Sequence, residues 1–310
     1  MKITVLSGLQ ASGKSTLTKE MVEKNSNYGR VNRDQLRQMV FNGNWTPKRE
    51  KIIVEMEKAI ATVLLKHSNS VVVDDTNVNF KNKQFWESFA KEQKVEHELI
   101  KIETDLATCI ERDRLRTESE KIGEAIIQKF ALSNGFIDWG DKKIIVCDLD
   151  GCIANEDHRA HFRQTEKKDW NSYFAGIPND TVYQEVVDMV NRWSATHTIV
   201  LSTGRPDTTQ HETLAWLRNV ANVKFDYLFM RNGSDRRPAS FIKLDILNKL
   251  PKHKIEMVLD DSPTCVRMYR EQKLKVIPVR GMPDEHQSGC EYEGQILKIT
   301  CPSCGIIGDF

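Results

Sequence analysis

The apolar run Ile3-Thr4-Val5-Leu6-Ser7 leads straight into Gly8-Leu9-Gln10-Ala11-Ser12-Gly13-Lys14-Ser15, which satisfies the spacing GxxxxGK[ST]. Glycines at these positions let successive backbone N–H groups turn inward on an anion, and the helix opening at Lys14 adds the positive end of its dipole. Lys14 is placed to reach the β- and γ-phosphates of a nucleoside triphosphate such as ATP, and Ser15 to hold Mg²⁺. Gly8, Ser12, Gly13, Lys14, Ser15 and Thr16 are the expected nucleotide-binding residues. A loop of this kind needs a buried strand before it and a helix after it, which commits the first part of the chain to an α/β fold.

Residues 1–138 continue in that style. Lys2–Leu6, Ser70–Val73 and Val95–Ile102 read as buried strands. Ile52, Ile53, Met56, Ile60, Val63 and Leu64 share a helical face. SNGFIDWGDKK at 133–143 has linker composition, and a second α/β pattern follows over 142–282. Its expected strands are Ile144–Cys147, Thr198–Leu201, Tyr227–Met230, Ile255–Leu259 and Val276–Val279, with helices near Val182–Trp193, Thr209–Arg218, Phe241–Leu250 and Thr264–Gln272. The expected class is α/β, with two domains, each a mainly parallel sheet flanked by helices. The chain has 310 residues, which suits two domains. Its net charge of +1 argues against a generally basic nucleic-acid-binding surface. No apolar run approaches the roughly 18 residues of a membrane span. The N-terminus has no signal-peptide pattern, so a cytoplasmic protein with no membrane partner is expected.

Three further stretches of the first domain carry candidate chemistry. In Asn32-Arg33-Asp34, a carboxylate at a strand end facing the phosphate loop is placed to take a proton from an attacking hydroxyl. Arg37, one helical turn on, is placed to grip an acceptor phosphate. The alternative is that Asp34 only caps the helix starting at Gln35. Val71-Val72-Val73-Asp74-Asp75-Thr76-Asn77 is a buried strand whose end offers Asp75, Thr76 and Asn77 to Mg²⁺ or the acceptor, or simply makes a turn. Arg112 and Arg116, spaced i, i+4, would form a lid over a triphosphate, unless they belong to a solvated charged face.

The second domain opens on Ile144-Ile145-Val146-Cys147-Asp148-Leu149-Asp150-Gly151. Residues i and i+2 on a strand project to one side, so Asp148 and Asp150 share a pocket and call for a cation, expected to be Mg²⁺. One carboxylate can attack phosphorus, and the other can act as acid and then base. Thr203-Gly204-Arg205 at the next strand end, Lys243 in a helix, and Asp260-Asp261 after a further strand complete such a site. Ser202 and Lys249 compete with Thr203 and Lys243 for their places.

Together these residues make the chain resemble the polynucleotide kinase 3′-phosphatases of the T-even bacteriophage type, a phosphate-loop kinase joined to a haloacid-dehalogenase-type (HAD-like) phosphatase. The resemblance runs to about residue 280. It implies transfer of the ATP γ-phosphate to 5′-hydroxyl ends of RNA or DNA, and hydrolysis of 3′-phosphate ends through an aspartyl-phosphate. The other reading, a nucleoside or small-metabolite kinase fused to a nucleotidase, keeps the same two sites. Through the resemblance Lys14, Asp34, Arg112 and Arg116 are kinase catalytic residues, and Arg37, Asp75, Thr76 and Asn77 bind the acceptor. Asp148 is the nucleophile and Asp150 the acid/base. Arg159, Thr203, Gly204, Arg205 and Lys243 bind substrate, while Asp148, Asp150, Asp260 and Asp261 hold Mg²⁺. A ligase as functional partner, homo-oligomers and, for a phage gene, the host cytoplasm are also implied. Ala239 and Ser240 stand where the family pattern has acidic residues, with Asp235 and Arg237 nearby.

Seven cysteines give no disulfide framework. Cys109, Cys147, Cys152 and Cys265 are isolated. In the tail, 283–310, His286, Cys290, Cys301 and Cys304 form HxxxC and CPSCG, which suit either a structural zinc site or reduced thiols.

Overall fold

In this computed structural model, residues 1–118, 120–164, 166–279, 298–300 and 307–309 are described. Most of the tail, including His286, Cys290, Cys301 and Cys304, lies outside them. The chain divides into two units, Met1–Phe136 and Ile137–Phe310, each taken by itself. Among the described residues, no helix is long and apolar enough to cross a membrane.

The first unit is built on four parallel strands, β1 (Lys2–Ser7), β2 (Tyr28–Val31), β3 (Ser70–Val73) and β4 (Glu96–Lys101), in the order β2-β3-β1-β4. The central strands β1 and β3 are almost entirely buried, as expected of parallel strands covered on both faces. Crossover helices connect them: α1 (Lys14–Lys24), α2 (Arg33–Phe41), α3 (Pro47–Lys66) and α4 (Phe80–Glu92). Then α5 (Leu106–Arg114) and α6 (Glu124–Ser133) complete the unit. Ile3, Val5, Val71 and Val73 pack with Ala61, Leu65, Trp86 and Phe89 in its core. The row Ile53, Glu57, Ala61, Leu65 is the buried stripe of α3, with one acid in it.

The second unit repeats the scheme with five parallel strands, β5 (Lys143–Cys147), β8 (His197–Pro206), β9 (Tyr227–Arg231), β10 (Ile255–Asp260) and β11 (Val276–Pro278), ordered β11-β10-β5-β8-β9. Four helices flank this sheet: α9 (Gln184–Trp193), α10 (Gln210–Asn219), α11 (Ala239–Leu247) and α12 (Pro263–Glu271). Between β5 and α9 an insertion carries a ribbon of β6 (Ala154–Asn155) and β7 (Thr181–Val182) and the helices α7 (Asp157–Gln164) and α8 (Trp170–Ala175). The sequence pattern did not show this insertion, and it supplies part of the site.

Candidate active sites

The phosphate loop turns between β1 and α1, with Gly13 at φ 102°, a conformation open to glycine. The Thr76 carbonyl accepts the Gly8 N–H at 3.0 Å, locking the loop to the end of β3. Lys14 is buried, and its ammonium donates to the Gly8 carbonyl at 3.1 Å and the Ser12 hydroxyl at 3.3 Å. Burial pushes its pKa down, against Asp74 and Asp75, which pull it up. Two clefts open around it. One, of about 520 Å³, is lined by the loop, Thr104, Arg112 and Arg116. The other, of about 470 Å³, is lined by Lys14, Ser15, Arg30, Asp34, Asp74, Asp75 and Thr76, among others. Lys14, Ser15 and Arg116 belong to both. A donor triphosphate and an acceptor can therefore meet at the lysine.

Asp34 stands on the second cleft with its side chain 85% exposed, paired with Arg37 at 2.6 Å. It does not cap α2. Asn32 does so, accepting the Gln35 N–H at 2.8 Å. Arg37 is also held by Glu50 at 2.9 Å. Arg112, on α5, donates to the Ser12 carbonyl at 3.1 Å. Arg116 lies beyond the end of that helix, so the two arginines reach the donor cleft without sharing a helical face. Asp113 folds the following turn back by accepting the Ile122 and Gly123 N–H groups at 3.1 and 2.8 Å.

At the end of β3 the structure redistributes the expected roles. Asp74, not singled out from the sequence, is buried near Ser15 and pairs with Arg30. Burial raises its pKa, partly offset by Arg30. Its Oδ1 is buried with no protein partner. An oxygen donor of this kind next to the Ser15 hydroxyl fits Mg²⁺. Asp75 lines the acceptor cleft but is tied to Arg33, whose Nε lies 2.7 Å away. Asn77 is buried away from both clefts, donating to the Leu6 carbonyl at 3.0 Å and accepting through its own carbonyl from Ser7. It braces the strand end instead of facing an acceptor. Behind Arg33, Glu57 is pushed up to about 9 by burial and by Asp75, against the pull of Arg33.

In the second unit, Asp148 leaves the end of β5 and its N–H bonds the Leu259 carbonyl of β10 at 3.0 Å. Lys243, from α11, lies 2.8 Å from Asp148 and 2.6 Å from Asp260, which singles it out over the exposed Lys249. Burial alone would lower the lysine's pKa, but these two carboxylates raise it well above the usual range. Burial raises Asp148 well above the carboxylate range despite Lys243. Burial and Asp260 bring Asp261 up to about 6. Gly151, at φ 82°, makes this packing possible, because a Cβ there would overlap the Asp261 carboxylate.

Ligand atoms of Asp148, Asp261 and Cys152 lie within 4.8 Å of one another, close enough for the three residues to share a metal ion. The two carboxylates suit Mg²⁺, whereas the thiol of Cys152 is a poor ligand for so hard an ion. The expected ligand set is thus only partly assembled. Asp260 engages Lys243, and Asp150 turns to the arginines.

Asp150 receives Arg159 at 2.7 Å and Arg205 at 2.6 Å. Against burial, which would raise it, Arg205 and Arg159 draw its pKa down to about 2. Both arginines also bind Asp180, at 2.6 and 2.7 Å respectively. The sequence did not single out Asp180, which follows the single 3-10 turn Ile177–Asn179. The Thr203 hydroxyl accepts the Arg205 N–H at 3.1 Å, and the Ser202 hydroxyl is buried with no protein partner. Gly204 gives its carbonyl to Arg231 at 2.8 Å. A Cβ on Gly204 would lie 3.5 Å from that of Ala239, while Asp235 and Arg237 pair with each other at 2.7 Å. Tyr173, on α8, bonds Glu156, whose pKa burial and Asp150 bring up to about 7.

Two sheets ending in phosphate-oriented clusters define a protein that joins a phosphate-loop domain to an aspartate-based phosphatase domain. Residues 142–281 match the family model of the polynucleotide kinase PNKP phosphatase domain, and residues 3–132 match that of the AAA domain. The second domain is thus similar to polynucleotide kinase phosphatase domains, and the first to a family of nucleotide-binding domains. It is 27% identical over 303 residues to a protein of Autographa californica nuclear polyhedrosis virus named as a bifunctional polynucleotide kinase/RNA ligase, covering 89% of this chain. The chain spans 42% of that relative's length. Among solved structures, a chain of the Pnkp1/Rnl/Hen1 RNA repair complex is similar at 23% identity and TM-score 0.40, covering 90% of this chain and 95% of that one. CbbY from Rhodobacter sphaeroides is similar at 14% identity and TM-score 0.37, covering 49% of this chain and 92% of its own.

Proposed function

We propose that this chain heals broken nucleic-acid ends, phosphorylating a 5′-hydroxyl with ATP and removing a 3′-phosphate. The observation that carries the first activity is the pair of clefts meeting at Lys14 and Ser15, with a carboxylate, Asp34, on the acceptor side. Asp34 takes the hydroxyl proton, and the phosphate-loop amides with Lys14, Arg112 and Arg116 stabilise charge on the transferring group. Ser15 and Asp74 would hold Mg²⁺, which when bound offsets phosphate charge.

For the second activity, Asp148 attacks the phosphorus and the bond to the 3′-oxygen breaks. Arg159 and Arg205 bind the phosphoryl oxygens, and Lys243, 2.8 Å from Asp148, partly offsets the cost of a charge on the nucleophile. A phosphoryl group that draws the arginines away from Asp150 also removes the charges holding its pKa low. Asp150 can then give a proton to the leaving oxygen and later take one from water. Asp148 and Asp261 would hold Mg²⁺, whose charge favours the incoming phosphate. The products, a 5′-phosphate and a 3′-hydroxyl, are what a ligase joins, and the ligase in the viral relative's name supports such a partner. Zinc on His286, Cys290, Cys301 and Cys304 is a separate proposal, tested by metal analysis of the purified chain.

The test is an oligonucleotide carrying a 5′-hydroxyl and a 3′-phosphate, offered as RNA and as DNA with labelled ATP. Asp34→Asn is expected to abolish 5′ labelling with ATP binding retained, and Asp148→Asn to abolish phosphate release. Labelling of free nucleosides without any oligonucleotide reaction would reject the proposal.

A further inference from the structure

The insertion between β5 and α9 carries aromatic surface that neither phosphate chemistry nor the core uses. Trp170 is 43% exposed, whereas Trp193 and Trp216 of the same unit are buried. Its ring stacks on Phe174, one helical turn along α8, at 20° and 5.8 Å between centroids. It also meets Tyr173 edge-on at 5.6 Å. Tyr173 in turn lies under Arg159, whose guanidinium carbon is 4.3 Å from the ring centroid, and Arg159 reaches Asp150 at 2.7 Å. A short line of contacts thus joins an exposed indole to the phosphate end of the site. Lys168 holds its ammonium 5.7 Å from the Trp170 ring centroid. The neighbouring acid Asp169 is committed to capping α8, accepting the Ser172 N–H at 3.1 Å.

An exposed ring with the ammonium of a flexible lysine over it, tied to an arginine of the phosphatase site, can exchange that cation for a base and leave the lysine to the adjoining phosphodiester, the repeating unit of a single strand. We propose that Trp170 is a stacking platform for a nucleobase near the 3′ end of the strand being dephosphorylated, with Lys168 taking the adjoining phosphodiester. This rests on the phosphatase reading above and adds its substrate class: single-stranded 3′ ends, gripped through base faces without regard to sequence. Phe174 supports the indole from behind, and Tyr173 fixes the distance between base and phosphate by packing on both Trp170 and Arg159.

The experiment compares a 3′-phosphorylated oligonucleotide with β-glycerophosphate, which has no ring to stack. Trp170→Ala is expected to raise KM for the oligonucleotide by roughly 5- to 100-fold, with kcat within about twofold and β-glycerophosphate turnover unchanged, while Trp170→Phe keeps most of the affinity. Equal losses on both substrates would mean that the ring only props Arg159 through Tyr173, and would overturn the proposal. So would unchanged KM for the oligonucleotide. A wild-type protein that hydrolyses neither substrate would instead sink the phosphatase reading, and this inference with it.

Discussion

Replacing Asp180 by alanine removes the carboxylate that Arg159 and Arg205 share. The side chain is fully buried and accepts from Arg159 Nε at 2.6 Å, Arg159 Nη2 at 2.7 Å and Arg205 Nη2 at 2.7 Å. After the substitution, Asp150 is left as the shared carboxylate of two buried guanidiniums, with Glu156 4.0 Å from Arg159. Removing one partner of a buried ion pair typically costs about 3–5 kcal/mol, because the other charge stays desolvated. The ring contacts of Arg159 with Tyr173 and of Arg205 with Trp216 survive. So does the bond from Trp216 Nε1 to the Asp180 backbone carbonyl at 2.8 Å. A loss of about 4 kcal/mol in this domain corresponds to a Tm lower by roughly 10–20 °C. Loosened arginines are also expected to cut phosphatase kcat/KM by roughly 100-fold, the usual effect of misplacing a positioning group. Circular dichroism melting with both activity assays checks this, and kinase activity below the melt serves as internal control. Asp180→Asn, which keeps an acceptor oxygen but not the charge, should fall between. An alanine variant that melts and hydrolyses 3′-phosphate like the wild type would refute the shared-carboxylate argument.

Gly151→Ala is expected to abolish most phosphatase activity with kinase activity intact, since the new Cβ displaces Asp261 and sits at a positive φ; steady-state rates on both substrates check it. Glu57, raised to about 9, contributes pH-dependent stability that is full below its unfolded value near 4.5 and lost as pH rises through 9. Wild type should therefore fall relative to Glu57→Gln across that window in urea titrations, and a constant difference would contradict the assignment. Asp74→Asn should raise the Mg²⁺ concentration for half-maximal kinase activity by roughly 10- to 100-fold, measured by titration at fixed ATP.

Both sheets were legible in the sequence for one reason. A parallel strand covered on two faces has no solvent side, so β3 and β5 appear as unbroken apolar runs whose ends mark the sites. Edge strand β2, with one buried residue of four, gave a weaker signal. The insertion with α7 and α8 was not legible. Its residues are mostly charged or aromatic, and its shape comes from contacts such as Arg159 with Asp180, which no local periodicity encodes. Glu57 had a readable sign, an acid in the row Ile53, Ala61, Leu65, where only apolar residues are at home.

The same distinction explains what was legible of the sites. Each cation of the proposed phosphate sites came from a recognisable stretch, but the carboxylate shared by two of them, Asp180, did not. Lys14 leans on loop carbonyls, Arg112 on the Ser12 carbonyl, Arg159 and Arg205 on Asp180, and Lys243 on Asp148 and Asp260. A buried cation without a partner costs several kcal/mol, so a site meant for phosphate must bring counter-charges of its own. They sit wherever the fold has room. Asp74 rather than Asp75 serves Ser15 because successive residues at a strand end point to opposite sides. Asp180 serves two arginines from a turn far along the chain. The chemistry of such a site is written in short motifs, while the charge balance that lets it stay folded is written in single residues that become readable only once the chain has brought them together.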